Sequence, residues 1–312
     1  MKTANVLEID GGGIRGVSAL VQLIEFEKLI KKPLKDHFDL ITGTSTGAII
    51  AVLLSVGYSA EEALSLYTVH GDRIFDKNLF RFGYLRPKYD DKYFNKILLD
   101  YTKGLTLKDC KTDVLIPAYN ISKKEGKLFK SSKAKLSDED NYSLFDVIRS
   151  SASAQSFFKP VEIRGDKYID GGMYVNNASM MALLECLKNG YEKVNIISFS
   201  TGEKKSVISN KTLDGGMLSW AEPTIDILLA EGSHLTDYTL QTIYPLLSTL
   251  LGRRLGIYIR CKSLTALATG KIDDVSKTNI NDMLEDGATS AKMNKDLMRT
   301  FFYNTLKGDE RI

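Results

Sequence analysis

The chain has 312 residues and a formal net charge of +3, from 42 Lys+Arg against 39 Asp+Glu. Apolar residues make up 43% and charged residues 26%, which excludes a disordered chain, a collagen-like repeat and a disulfide scaffold. The near-neutral balance gives no reason to expect a nucleic-acid partner.

Cys110, Cys186 and Cys261 form no C-x-x-C pair, so a zinc or redox motif is disfavoured and a reducing compartment is expected. The N-terminus has no apolar run of signal-peptide type. The longest apolar stretch, Ala48–Leu54, falls short of the about 18 residues of a membrane-spanning helix. The default expectation is a soluble, cytoplasmic protein. No linker rich in Pro, Gly or Ser divides the chain, so residues 1–312 are expected to form one domain.

In chain order, Asn5–Ile9 reads as a strand ending at Asp10. Gly11, Gly12 and Gly13 follow, then Ile14-Arg15-Gly16, then helical spacing over Val17–Leu29. A tight loop opening a helix offers unpaired N–H groups at the positive end of the helix dipole, a place for a phosphate, carboxylate or oxyanion. Gly11-x-Gly13-x-x-Gly16 also matches the dinucleotide fingerprint, but Asp36 and Asp39 precede the second strand instead of ending it.

That strand, Phe38–Thr42, runs into Gly43-Thr44-Ser45-Thr46-Gly47 and then an apolar helix over Ala48–Val56. G-x-S-x-G between a strand and a helix is the context of a nucleophile elbow. Gly43 and Gly47 let strand and helix approach, the serine projects from a sharp turn, and the Thr46 N–H can serve as an oxyanion donor. Read without chemistry, Ser45 is a helix cap.

Gly71–Lys96 interleaves aromatic and basic residues, among them Arg73, Phe75, Phe80, Arg81, Phe82, Tyr84, Lys88, Tyr89 and Phe94. Either the rings pack inward while the cations stay wet, or the segment is a lid facing a membrane. Further on, Val114–Asn120 and Lys127–Ser131 read as strands, Tyr142–Ser153 as a helix, and Val161–Ile163 with Lys167–Ile169 as a hairpin. The hairpin ends in Asp170-Gly171-Gly172, a carboxylate on a strand end with two glycines that clear its surroundings.

An activated serine needs a base. Ser45, Asp170 and His234 satisfy one triad order, but His234 reads as a surface or capping residue. A Ser–Asp dyad is the alternative, if a dry site raises the carboxyl pKa.

Together, D-G-G-G-x-R-G at Asp10–Gly16, G-T-S-T-G at Gly43–Gly47 and D-G-G at Asp170–Gly172 resemble the patatin-like phospholipases, over roughly residues 5–200. The resemblance implies a three-layer α/β/α sandwich with a central, mostly parallel sheet. It implies Ser45 as nucleophile and Asp170 as base, with oxyanion donors at Gly11, Gly12 and Gly13. Arg15 would steady the loop or meet a phosphate. It implies hydrolysis of fatty-acyl esters of phospholipids or lysophospholipids at a membrane surface, without metal or cofactor, and is compatible with a homo-oligomer. Relatives often continue D-G-G into Asn-Asn-Pro, whereas this chain has Asn176-Asn177-Ala178, a change expected to touch a helix start.

The size and plan are also similar to compact bacterial patatin-like effectors of cyclic-nucleotide antiphage defence, which implies weak basal activity raised by a cyclic-nucleotide activator. Two other classes stay open: a nucleotide-binding protein using Gly11–Gly16, and a non-catalytic lipid-binding relative. Past residue 200, Val194–Phe199 reads as a buried strand and Tyr258–Cys261 as a last one. The part over about 203–312 is expected to be helical, with helices at Met217–Leu229, Leu235–Leu251 and Asn281–Leu306. Thr239–Leu251 is expected to be core, or else to line an acyl channel.

Overall fold

The β-rich runs meet in one eight-stranded sheet. A computed structural model describes residues 2–75, 87–203, 208 and 210–305. The strands are β1 (Thr3–Ile9), β2 (Leu40–Gly43), β3 (Asp113–Asn120), β4 (Glu125–Lys130), β5 (Val161–Ile163), β6 (Asp166–Ile169), β7 (Lys193–Phe199) and β8 (Tyr258–Cys261). The helices are α1 (Gly16–Ile30), α2 (Thr46–Val56), α3 (Ala60–Ile74), α4 (Lys92–Thr102), α5 (Ser131–Ala134), α6 (Leu144–Ser151), α7 (Ser179–Lys188), α8 (Asn210–Leu213), α9 (Met217–Leu250), α10 (Lys277–Met293) and α11 (Lys295–Thr305).

The sheet order is β5-β6-β3-β2-β1-β7-β8, with β4 also on β3. The run β3-β2-β1-β7-β8 is parallel, and β4, β5 and β6 pair antiparallel. Alternation along β1 sorts the core into two layers. Ala4 and Val6 join α7 and α9 on one face, while Leu7 and Ile9 join α1, α2 and α3 on the other. This is the three-layer α/β/α sandwich.

Two registers place the loops that matter. Ile9 pairs with Gly43 across the β1–β2 ladder, so the glycine loop and the serine turn leave the sheet side by side. Strand β2 is short and meets only Asp113–Leu115 of β3. Farther along β3, Tyr119 and Asn120 pair with Ile169 and Tyr168 of β6, which runs the opposite way. Because β4 already fills the other side of β3, β2 and β6 share one edge and converge, bringing Asp170 toward Ser45. The hairpin turns on Arg164 (φ 52°) and Gly165 (φ 82°), a two-residue turn whose twist matches its strands.

The C-terminal helices differ from expectation. Helix α9 runs unbroken through Gly232-Ser233-His234. An interior glycine costs only about 1 kcal/mol against alanine, and Asn176 clamps this stretch through the Leu229 carbonyl (3.1 Å) and Ser233 Oγ (3.0 Å). The single helix expected over Asn281–Leu306 is instead α10 and α11, divided at Asn294, whose side chain donates to Gln22 and to the Lys262 carbonyl; Leu306 lies outside the described residues. Within Thr239–Leu251, Leu240 and Tyr244 are core, and Leu246, Leu250 and Leu251 are exposed.

Candidate active site

Ser45 occupies the N-cap position of α2 with φ 56° and ψ −118°. Positive φ is costly for a residue with a Cβ. The turn is held from outside: the Ser45 N–H donates to Ser151 Oγ at the end of α6 (3.0 Å). A Cβ at Gly47 would collide with the Ile9 carbonyl, and one at Gly43 with the Gly47 carbonyl, so both glycines are required by close approach. The Ser45 side chain caps nothing; its Oγ donates to Asp170 Oδ2 at 2.7 Å.

Asp170 is buried, its N–H donates to the Ser153 carbonyl (3.1 Å), and its Oδ1 accepts from Gly172 N–H (2.8 Å). Burial pushes its carboxyl up from the ordinary 3.8 to about 6, although the bonds from Gly172 and Ser45 pull the other way. Gly171 packs against the Pro117 carbonyl of β3, which fixes the descent of the hairpin.

The glycine loop stands opposite. Among the described residues, none accepts from the N–H groups of Gly12, Gly13 or Thr46, whereas the Gly11 N–H donates to the Asn176 carbonyl (3.4 Å). Gly13 has φ 59° and abuts the Ile272 carbonyl, which accepts the Ile14 N–H (2.8 Å). Half-buried Arg15 braces the loop, its Nε donating to the Gly12 carbonyl (3.2 Å) and its Nη1 reaching that of Gly270 (3.5 Å). Gly16 packs against the Thr46 side chain, which is hydrogen-bonded to buried Tyr67.

Asp10 points away from this chemistry. It holds Arg260 of β8 through both carboxylate oxygens and accepts from Asn177 (2.9 Å). Glu8, two residues back on the same face, is fully buried and accepts from Ser198 and from the Ala178 N–H (3.2 Å). Burial first, then Asp10, drives the Glu8 pKa up. A proline in place of Ala178 would remove the N–H that Glu8 accepts; Ala178 is the N-cap of α7, so the change does fall at a helix start.

Ser45, Asp170, Gly12, Gly13 and Thr46 open on a cavity of about 890 Å³, counted with its mouth. Its far walls are apolar: Ile49, Leu66, Ile74, Phe75, Phe94 and Phe158 among others. Phe75, Tyr89 and Phe94 all pack against Phe158 with ring centroids 5.2–6.0 Å away. The described part of the aromatic-basic segment thus packs inward, and its residues 76–86 lie outside the described set. Among the described residues, no histidine lines the cavity: His37 bonds Thr305, His70 bonds Tyr93, and His234 pairs with Glu203.

A family model described as patatin-like phospholipase matches residues 7–184, more than half of the chain. The chain belongs to the patatin-like phospholipase family. Relatives of this family include the probable inactive patatin-3-Kuras 1 of Solanum tuberosum, 26% identical over 92% of this chain and 86% of its own length. Patatin-like protein 2 of Oryza sativa subsp. indica is 26% identical over 92% and 83%. Among solved structures, VipD from Legionella pneumophila matches 92% of this chain and 67% of its own at 14% identity, TM-score 0.42. The type III effector protein ExoU matches 95% and 53% at 10% identity, TM-score 0.38. Patatin-like membership supports a lipid acyl hydrolase at the level of the family. Among the described residues, no helix is long and apolar enough to cross a membrane.

Ser151, Arg260 and Ile272 escape sequence reasoning. Each acts through a contact more than 100 residues away in the chain. Arg260 left one trace, a lone charge inside the apolar run Tyr258–Cys261.

Proposed function

We propose that the protein hydrolyses fatty-acyl esters of phospholipids or lysophospholipids through an acyl-serine intermediate, with Ser45 as nucleophile and Asp170 as general base. The observation that carries this reading is the 2.7 Å hydrogen bond from Ser45 Oγ to a buried carboxylate, at the mouth of an apolar cavity. Asp170 takes the hydroxyl proton as Oγ attacks the ester carbonyl. The free N–H groups of Gly12, Gly13 and Thr46 stabilise the oxyanion. Collapse of the tetrahedral intermediate expels the lipid alcohol, which leaves with the proton from Asp170. Water then attacks the acyl-serine, gives a proton to Asp170, and Ser45 Oγ departs with it. The acyl chain occupies the aromatic end of the cavity.

One relative is called probably inactive, but this chain has both dyad members in hydrogen-bond contact, which favours catalysis. The dinucleotide reading is weakened because the Ile14 N–H in the loop is already taken by the Ile272 carbonyl. Intact-mass detection of fluorophosphonate labelling tests the proposal. Wild type is expected to gain one adduct, Ser45→Ala none, and Asp170→Asn one at a much slower rate. An unlabelled wild type that also leaves phospholipid vesicles intact with and without a panel of cyclic dinucleotides would overturn the proposal. Activity rising only with one of those ligands would instead establish the activator.

A further inference from the structure

Asn176 is a polar side chain of this cavity that the dyad chemistry leaves unused; Gln155, whose Nε2 is likewise buried without a partner among the described residues, is another. Asn176 is 6% exposed and lines the cavity. Its Nδ2 donates to the Leu229 carbonyl (3.1 Å) and to Ser233 Oγ (3.0 Å). A carbonyl can only accept, so the amide orientation is fixed and Oδ1 must face the other way. That oxygen is buried and has no hydrogen-bond partner among the described residues. A Cβ on Gly11 would collide with it while standing 3.4 Å from Ser45 Cβ. The corresponding point on Gly172 lies 3.6 Å from it and 3.1 Å from Asp170 Oδ1. An acceptor without a donor among the described residues therefore sits against the glycine loop, close to the serine turn and to the Asp170-Gly171-Gly172 turn. Leaving such a group unpaired costs about 1–3 kcal/mol.

We infer that Asn176 Oδ1 binds a hydroxyl group brought into the active site. The inference rests on the acyl-hydrolase reading above. An acceptor repels the oxyanion, so its ligand is an O–H. Two sources supply one: the water that hydrolyses the acyl-serine, or the free glycerol hydroxyl of a monoacyl lipid. Water is well matched. One of its protons goes to Asp170 and the other stays to be held by Asn176. Methanol has a single O–H, which Asp170 requires.

The test compares wild type, Asn176→Ala and Ser233→Ala, which removes a structural partner of the amide but leaves Oδ1. Each is given a p-nitrophenyl acyl ester in water–methanol mixtures, and free acid, methyl ester and acyl-enzyme mass are measured. Each is also assayed on monoacyl and diacyl phosphatidylcholine. If water is the ligand, Asn176→Ala accumulates acyl-enzyme, deacylates about tenfold more slowly and loses its preference for water over methanol. If the lipid hydroxyl is the ligand, deacylation is unaltered and the ratio of monoacyl to diacyl kcat/KM falls by a similar factor. Ser233→Ala shows neither change. Unaltered deacylation, partition and lipid ratio in a folded Asn176→Ala overturn the inference. Should that variant not fold, the wild type decides. Preference for water or for the monoacyl lipid supports the inference; equal partition per mole between water and methanol, with equal kcat/KM on both lipids, overturns it. A wild type that releases neither free acid nor methyl ester marks the failure of the parent proposal instead.

Discussion

Ser45 stands where a helix cap belongs, yet its oxygen turns to Asp170. A capping serine would turn its oxygen to the helix, and the sequence alone left the choice open because both readings use the same serine. The carboxyl's burial has a functional sign. A base must be ionised, so kcat/KM is expected to rise with pH through about 6, the value to which Asp170 is pushed, and to level off above it. The same burial has a stability sign. The folded-state value, about 6, lies above the ordinary 3.8, so the folded chain holds this proton more tightly than the unfolded chain. Stability from Asp170 is therefore full below about pH 4 and is lost as pH rises to about 6. Asp170→Asn removes that loss. Its midpoint in urea is expected to match wild type near pH 4 and to exceed it near pH 7.5, while the proposed mechanism expects it to lose activity. Equal midpoints at both pH values would show that the carboxyl is not perturbed.

The glycine loop, the elbow and the hairpin were legible as elements because each has a local signature: three glycines after a strand, a G-x-S-x-G turn, and Gly165 between two short apolar runs. How they are fastened was not legible. The run Asn5–Ile9 reads as a short apolar strand, and nothing in it shows that Glu8, and Asp10 just beyond it, both point to the α7 face, where β7 supplies Ser198 and β8 supplies Arg260. Burial works against the guanidinium charge, but Asp10 and then Glu8 raise the Arg260 pKa strongly. The network thus ties β8 to the strand that launches the glycine loop. Removing one partner from a buried ionic cluster leaves uncompensated charge and costs about 3–5 kcal/mol. Arg260→Met is expected to lose stability on that scale in urea titration and to lose fluorophosphonate labelling with it. A loss below about 1 kcal/mol would mean that the cluster contributes little to holding the loop.

At the scale of the whole molecule, the three motifs lie within residues 10–172, and the family match ends at 184. The geometry reaches further. The Ile272 carbonyl holds the Ile14 N–H in the glycine loop, Arg260 neutralises Asp10, and the Leu229 carbonyl orients Asn176. Ile225 and Leu229 also wall the cavity, and β8 covers what would otherwise be an open edge of β7. An uncovered strand edge pairs readily with other chains. These contributions could not be read in advance, because the C-terminal third carries no motif and its helical periodicity says only that it packs on something. The motif-bearing region is therefore expected not to suffice on its own. A chain ending at Gly202 is expected to be insoluble or molten and to take no fluorophosphonate adduct. Adding residues 203–312 in trans would have to rebuild β8 in register against β7 before labelling returned. A soluble 1–202 chain with a cooperative unfolding transition and wild-type labelling would show instead that Arg260, Ile272 and Leu229 are accessories to a site already complete without them.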